Sequence, residues 1–169
     1  MVSIPTYDNS RFARAIDVQY YLDISEDPSR PLVNNAIKGL YPPGSVWKLI
    51  SAAGVVEEDV ADPDLQLLDE GQLIVENRYA PNDRAASQRF VCWLRDGHGR
   101  VNLLQSIAYS CDVYFYQVGG GNSSINPNIL SPGGLGINNL FRYATATGIG
   151  SELGVELPFE NAGRMPDPD

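Results

Sequence analysis

Basic residues are scarce in this chain of 169 residues. It contains one histidine and two lysines, Lys38 and Lys48, and its formal net charge is −9. Binding to nucleic acid requires clustered lysine and arginine side chains that neutralise phosphates. The composition therefore excludes nucleic acid as an expected partner, and a motif that uses one of the two lysines carries more weight than usual.

Long apolar runs are lacking as well. No stretch approaches the roughly 20 apolar residues of a membrane span, and the first residues lack the basic start and apolar block of a secretory signal. We expect an anchor or signal, if the protein has one, to precede this sequence. The length suffices for one compact domain with a hydrophobic core.

Cysteine is limited to Cys92 and Cys111, which lie within twenty residues of each other and of His98, the one histidine. Thiolate and imidazole are preferred zinc ligands, although the spacing Cys-x5-His-x12-Cys is not that of a zinc finger. Asp69 or Asp96 could supply a fourth ligand. A disulfide, with His98 in its glycine-flanked turn, and two buried free thiols are the alternatives, and the spacing leaves all three open.

Proline and glycine divide the chain into four expected segments. We predict an extended, turn-rich lead-in at 1–44 with a short helix near 10–16, a helix-bearing segment at 45–60, a mainly helical region with irregular loops at 61–148, and a tail at 149–169 with a strand near 155–157.

Hydrophobic periodicity predicts helices over 45–58, over about 102–118 with a restart at Asp112, and over 137–147. A strand is expected near 72–75 and a loop over 122–136. In the first helix, the residues at helical spacing are predicted to face the core: Val46, Leu49, Ile50, Ala53 and Val56.

Ser45 and Lys48 form a Ser-x-x-Lys motif at the start of the first predicted helix. Residues i and i+3 share one helix face, so the amine of Lys48 should lie near the Ser45 hydroxyl. A serine hydroxyl becomes a good nucleophile when a base removes its proton, and a lysine can be that base when its pKa falls towards neutrality. The alternative is that Ser45 caps the helix and Lys48 is solvated.

A second motif, Ser110-Cys111-Asp112, lies between two helical runs. A hydroxyl and an acid on a tight connection between helices can point into one cleft, where the hydroxyl transfers a proton and the acid holds a lysine. The alternative is that Ser110 or Asp112 simply caps the following helix.

Several short motifs follow one another in a fixed order over nearly the whole chain. They are Tyr-Asp-Asn near the start, Pro-Leu-Val-Asn-Asn-Ala, Tyr-Pro-Pro-Gly-Ser-x-x-Lys, Gly-His-Gly followed by Val-Asn-Leu, Ser-Cys-Asp-Val-Tyr-Phe-Tyr-Gln-Val-Gly, Leu-Gly-Ile and Gly-Val-Glu-Leu-Pro. This order resembles class B penicillin-binding proteins, and the middle motifs are similar to their penicillin-binding protein 2 branch, which serves cell elongation.

The resemblance implies a role for each matched residue. Ser45 would be the acylated serine and Lys48 its general base, with Ser110 and Asp112 at the second catalytic motif. That motif is usually Ser-x-Asn, and the aspartate, a change associated with the elongation branch, should alter how the lysine is held.

The same resemblance implies a zinc-like site with Asp69, Cys92, His98 and Cys111 as its ligands. Four protein ligands leave no open coordination position, so the metal would be structural. No cofactor would be required for catalysis.

The third motif of the family, Lys-Thr-Gly or Lys-Ser-Gly on a strand, does not occur in this sequence. The resemblance therefore implies an α/β fold that is a helix-rich part of a penicillin-binding or β-lactamase-like transpeptidase domain, without most of the central antiparallel sheet. We expect the fragment alone to have little or no transpeptidase activity.

The implied function is peptidoglycan D,D-transpeptidation outside the cytoplasm, with the parent protein held by an N-terminal membrane anchor. The implied ligands are D-Ala-D-Ala stem peptides and β-lactams, and the implied partner is a glycosyltransferase of the elongation machinery. The alternatives are a D,D-carboxypeptidase or β-lactamase-like serine hydrolase, and a non-catalytic module stabilised by the metal.

Overall fold

A computed structural model of the chain describes residues 2–77, 79–80, 83–120 and 133–165. These residues form two units, one within 2–42 and 148–164, and the other within 43–147 together with Met165. None of the helices in the described ranges combines the length and the apolar character that a membrane span requires.

The first unit contains a 3-10 turn at Asn9–Phe12 and two helices, α1 at Val18–Glu26 and α2 at Asn35–Lys38. The helix predicted near 10–16 is therefore wrong, because only the 3-10 turn forms there. Helix α1 was not predicted, since it buries none of its residues and so has no core-facing periodicity. Its one local signal is Asp17, whose carboxylate accepts hydrogen bonds from two N–H groups of the first turn.

The strand predicted near 155–157 does not form. The N–H groups of Leu153, Gly154 and Val155 donate instead to the carboxylate of Glu160, at 2.8–3.0 Å. Because a side chain takes these N–H groups, they are not available to a sheet ladder.

The second unit is helix-rich with two small antiparallel sheets, which confirms the predicted α/β class. Strand β1 (Leu67–Asp69) pairs with β4 (Gly99–Val101), and β2 (Gln72–Val75) pairs with β3 (Gln88–Val91). The strand expected at 72–75 is confirmed, whereas β1, β3 and β4 lie in the region expected to be irregular. These strands have three or four residues each, which is too short to show an alternating pattern.

Helix α3 (Trp47–Glu57) follows a 3-10 turn at Gly44–Val46 and confirms the helix predicted over 45–58. The predicted core face is largely wrong: Ile50 is buried, but Val46, Leu49 and Val56 are exposed. Helix α3 is apolar on nearly every side, so periodicity alone could not identify the face that packs on the core.

The remaining helices are α4 (Leu103–Ala108), α5 (Asp112–Gly119) and α6 (Gly136–Ala146). They confirm the predicted restart at Asp112 and the last predicted helix within one residue at each end. Most of the predicted loop over 122–136 lies outside the described residues.

The hydrophobic core of the second unit lies where α3 and α5 meet the two sheets. Its most deeply buried side chains include Val55, Leu67, Val101, Tyr114 and Val118. Asp69, Cys92 and Cys111 are buried beside them, which brings polar groups from three parts of the chain into the interior.

Candidate active site

Ser45 lies in the 3-10 turn that leads into α3, and its side chain is exposed. The preceding Gly44 has a φ of +55°, a conformation that a residue with a Cβ adopts only with strain. This glycine turns the chain from the two prolines into the helix start. Among the described residues, the backbone N–H of Ser45 has no hydrogen-bond acceptor.

Lys48, in the first turn of α3, points at the junction between α4 and α5. Its Nζ donates to the carbonyl of Ser110 at 2.7 Å, to the Ser110 Oγ at 3.0 Å and to Asp112 Oδ1 at 2.6 Å. The lysine side chain is 12% exposed. The solvated alternative for Lys48 is therefore wrong.

Ser110 connects the lysine to the first serine. Its Oγ lies 2.8 Å from the Ser45 Oγ, whereas no direct hydrogen bond joins Lys48 Nζ to Ser45 Oγ in the part of the chain that the structure describes. Ser110 has a φ of +52°, which is uncommon for a residue other than glycine. Such strained backbone is concentrated at functional sites, and here it turns both oxygens of Ser110 towards Lys48.

Asp112 uses both oxygens of its carboxylate. Oδ1 accepts from Lys48, and Oδ2 accepts from the backbone N–H of Trp93 at 3.0 Å. The capping alternative is wrong for both polar residues of the motif, because the N-cap of α5 is Cys111, whose Sγ accepts from Tyr114 N–H.

A cavity of about 700 Å³ opens beside Ser45, Lys48 and Asp112. The rest of its lining is largely apolar, with contributions from β2, β3 and α5 that include Leu73, Phe90 and Phe115. A concave, mostly apolar space with a few converging polar groups is the usual form of a small-molecule site.

The other four candidate residues meet at a second cluster in the same unit. Asp69 ends β1, Cys92 follows β3, His98 precedes β4, and Cys111 is the N-cap of α5. One ligand atom from each lies within 4.8 Å of all the others. Asp96, the alternative carboxylate, does not belong to this cluster.

Asp69 is the centre of the cluster's hydrogen bonds. Its Oδ2 accepts from His98 Nδ1 at 2.7 Å and from the Cys111 thiol at 3.2 Å, and its Oδ1 accepts from Gly71 N–H at 2.7 Å. Burial opposes ionisation of Asp69, but these hydrogen bonds, with that of His98 first, outweigh it and hold the pKa of the carboxyl below its usual value.

Burial has the opposite outcome at Cys111. It raises the pKa of that thiol to about 12, since the hydrogen bond from Tyr114 N–H compensates only in part. Both cysteines are free thiols in this structure.

The donor set of the cluster fits a metal ion of the zinc type. Two sulfurs, an imidazole nitrogen and a carboxylate oxygen are all zinc ligands, and ligands about 2.0–2.3 Å from a tetrahedral zinc ion lie roughly 3.3–3.8 Å apart. The observed spread of at most 4.8 Å requires a small contraction. Two residues of the cluster are also adjacent in sequence to residues of the active site: Cys92 precedes Trp93, and Cys111 precedes Asp112.

Two residues of the site were not identified from sequence. Gly44 acts through its backbone angle, for which its place directly before Ser45 was the signal. Trp93 contributes its backbone N–H, a group that nearly every residue type has. The only signal in the sequence was therefore its position next to Cys92.

Comparisons of this chain with a family profile, with curated proteins and with solved structures agree with one another. The profile of the penicillin binding protein transpeptidase domain matches residues 1–169. The Peptidoglycan D,D-transpeptidase MrdA of Acinetobacter baumannii is 30% identical over 169 residues, which are the whole of this chain and 22% of that protein. This chain thus spans about a fifth of the length of the curated relatives that it matches.

Two solved structures are similar to this fold. The PBP2 of Pseudomonas aeruginosa, in complex with WCK 5153, is 30% identical with a TM-score of 0.73, over 98% of this chain and 33% of that one. The PBP2 of Helicobacter pylori, in complex with MreC, is 28% identical with a TM-score of 0.78, over 98% of this chain and 27% of that one.

Proposed function

Because this chain belongs to the penicillin-binding protein transpeptidase family, we propose that the intact protein is a peptidoglycan D,D-transpeptidase whose nucleophile is Ser45. The observation that carries the proposal is the continuous line of contacts from Ser45 Oγ through Ser110 Oγ to Lys48 Nζ. It joins an exposed hydroxyl to a largely buried amine, which is the arrangement that activates a serine.

Acylation begins when Ser45 loses its proton. Lys48 Nζ donates three hydrogen bonds in this structure, so it can accept a proton only after it has released one to solvent. Hydroxyl hydrogens rotate, and the Ser45 O–H can then donate to Ser110 Oγ while the Ser110 O–H donates to Lys48 Nζ. The Ser45 Oγ then forms a bond to the carbonyl carbon of the penultimate D-alanine. The amide C–N bond breaks, and the departing D-alanine amine takes the proton back from Lys48 by the same route.

The oxyanion formed during this attack needs hydrogen-bond donors. The N–H of Ser45 is one candidate, since it has no acceptor among the described residues. We expect the second donor, and the Lys-Thr-Gly or Lys-Ser-Gly motif that this sequence does not contain, to come from elsewhere in the intact protein. The 169-residue chain alone should accordingly acylate slowly.

An amine of a neighbouring stem peptide resolves the acyl-enzyme in a transpeptidase, whereas water resolves it in a carboxypeptidase or β-lactamase. We further propose that the reaction takes place outside the cytoplasm, where peptidoglycan is found. The relative from Helicobacter pylori forms a complex with MreC, which supports a partner of that kind for this protein. The glycosyltransferase partner implied by the resemblance remains a prediction.

We propose that the cluster of Asp69, Cys92, His98 and Cys111 holds a structural zinc ion. When bound, zinc would cross-link β1, the segment after β3, the turn before β4 and the start of α5. Holding Cys111 in place would also hold Asp112 against Lys48, because Asp112 is the next residue in the chain. Catalysis itself would need no cofactor.

The test of the function is the reaction of the intact protein with fluorescent penicillin. We expect one covalent label per chain, no label on Ser45→Ala, and normal labelling of Ser151→Ala, a change at an exposed serine that does not line the cavity. A long-lived penicillin label would identify a transpeptidase if, in a second assay with a D-Ala-D-Ala stem peptide, D-alanine is released only in the presence of an acceptor amine. Rapid loss of the label to water would identify a hydrolase, and labelling of Ser45→Ala would rule out the proposed nucleophile.

A further inference from the structure

Trp93 contacts the Ser110–Asp112 segment on both sides. Its indole Nε1–H donates to the carbonyl of Tyr109, the residue before Ser110, at 3.0 Å. Its backbone N–H donates to Oδ2 of Asp112 at 3.0 Å. One residue thus spans the motif that holds Lys48.

The carbonyl that Trp93 binds is at the C-terminal end of α4, where carbonyls lack partners within the helix. The indole therefore caps α4 and ties the segment after β3 to the connection between α4 and α5. This tie keeps the Trp93 N–H at a fixed distance from Asp112.

Trp93 does not pack in the hydrophobic core. The residue is 61% exposed, and its closest ring contact is the edge of His98, with the ring centroids 5.4 Å apart. A residue with a large exposed side chain whose backbone N–H and indole N–H are both used within the protein has a positional role in this site.

We infer that Trp93 is a positioning residue for acylation: it orients Asp112 so that Oδ1 faces Lys48 Nζ and Oδ2 faces away from it. A carboxylate free to rotate could present either oxygen to Trp93, to Lys48 or to water. With Oδ2 held, Lys48 remains directed at the Ser110 carbonyl and hydroxyl. This inference rests on the proposed function, since it concerns the activation of Ser45.

The decisive measurement separates the acylation rate constant of the intact protein from the Kd of the initial penicillin complex. Trp93→Phe keeps an aromatic ring and the backbone N–H to Asp112 but lacks the indole N–H to Tyr109. We expect its acylation to be about tenfold slower, which is the effect of losing the one hydrogen bond that holds the backbone N–H in place. The Kd should stay within about twofold of the unaltered protein's. Leu104→Ala, which removes an exposed side chain from α4, is the control and should change neither constant.

A double-mutant cycle with Asp112→Asn tests whether the effect passes through Asp112. We expect Trp93→Phe to have little further effect in the Asp112→Asn background, because an amide cannot serve Lys48 and the Trp93 N–H with oxygen atoms at once. Independent, multiplicative effects would overturn the inference, as would a raised Kd with an unchanged acylation rate, which would make Trp93 a ligand contact.

The folding of each variant is checked by its melting transition. If Trp93→Phe does not fold, Trp93→Met, which keeps apolar bulk without a side-chain N–H donor, takes its place in the same cycle. A protein with Trp93 intact that is not acylated at all would contradict the proposed function, whereas independent effects in an active protein would contradict only the role of Trp93.

Discussion

The reactive groups of the site are connected through Ser110. The sequence predicted that Ser45 and Lys48 would share a helix face. Ser45 lies instead in the 3-10 turn before α3, and the hydrogen bonds run from Lys48 to Ser110 and from Ser110 to Ser45. Helical spacing could bring the two motif residues together, whereas the position of Ser110 depends on a tertiary contact and a left-handed backbone angle that no local pattern shows.

Changing Ser110 to glycine should separate stability from activity. Glycine adopts a positive φ without strain, so Ser110→Gly should stabilise the fold by about 1 kcal/mol. The same change removes the hydroxyl between Lys48 and Ser45, so acylation by penicillin should be at least ~100-fold slower. Thermal melting and labelling rates measure the two effects.

Asp59 provides the matched control for this prediction. It is exposed, has a φ of +49° and lies after α3, away from the site. Asp59→Gly should raise the melting temperature without changing the labelling rate. A Ser110→Gly variant that acylates normally would show that the Ser110 hydroxyl is not needed.

Asp112→Asn tests the departure from the usual Ser-x-Asn motif. The carboxylate supplies one oxygen to Lys48 and the other to Trp93 N–H, whereas an amide has one oxygen. We expect acylation to be about tenfold slower in Asp112→Asn, and slower still in Asp112→Ala, which loses both contacts. Acylation by both variants at the rate of the unaltered protein would mean that neither contact matters in the rate-limiting step.

The packing of α3 against α6 shows what an element requires beyond its own sequence. Gly54 lies on the buried side of α3, where an added Cβ would come within 2.8 Å of Leu135 Cδ2 and 2.9 Å of Tyr143 Cδ2. At the end of α3, Glu58 accepts a hydrogen bond from the Tyr143 hydroxyl at 2.6 Å and pairs with Arg142. The existence of both helices was predictable from periodicity, but their contact was not, because it depends on a residue without a side chain.

Gly54→Ala should therefore destabilise the protein although alanine favours helix by about 1 kcal/mol over glycine. Overpacking typically costs about 1–3 kcal/mol, so we expect a lower melting temperature. Gly119→Ala in α5 is the control, since its Cβ would meet no atom within 4 Å. A Gly54→Ala variant more stable than the unaltered protein would show that α3 and α6 separate easily.

The hydrogen bond from Tyr143 to Glu58 should make the stability of the protein depend on pH. That hydrogen bond, with help from Arg142, holds the pKa of Glu58 below its usual value. A lowered pKa means that the stabilisation is present above the unfolded-state pKa and is lost as the pH falls through the folded-state pKa. Tyr143→Phe should lower the melting temperature at neutral pH, and the difference from the unaltered protein should shrink in acid; a constant difference across pH would contradict this.

At the scale of the molecule, the small core of the second unit encloses a polar cluster. Spacing alone left metal, disulfide and free thiols open for Cys92 and Cys111. Of the two carboxylates considered from the sequence, Asp69 and Asp96, the structure places Asp69 in the cluster, through the pairing of β1 with β4. Sequence could not show this pairing, because the strands that form it are too short to be predicted.

Zinc analysis of the purified intact protein tests the cluster. We expect one equivalent of zinc, its loss in Cys92→Ser, and a fall in melting temperature of several degrees on chelation, since a ligand at 100 times its Kd stabilises by about 2.7 kcal/mol. Asp96→Asn should keep the metal and is the control. A mass two units below that of the reduced chain would instead identify a disulfide.

The central claim, that Ser45 is the acylated residue, is tested most directly by mapping the label on the intact protein. After brief reaction with penicillin and digestion, tandem mass spectrometry should place one penicilloyl group on Ser45 and none on Ser110, although the two hydroxyls lie 2.8 Å apart. A penicilloyl group on Ser110, or on any residue other than Ser45, would contradict the account.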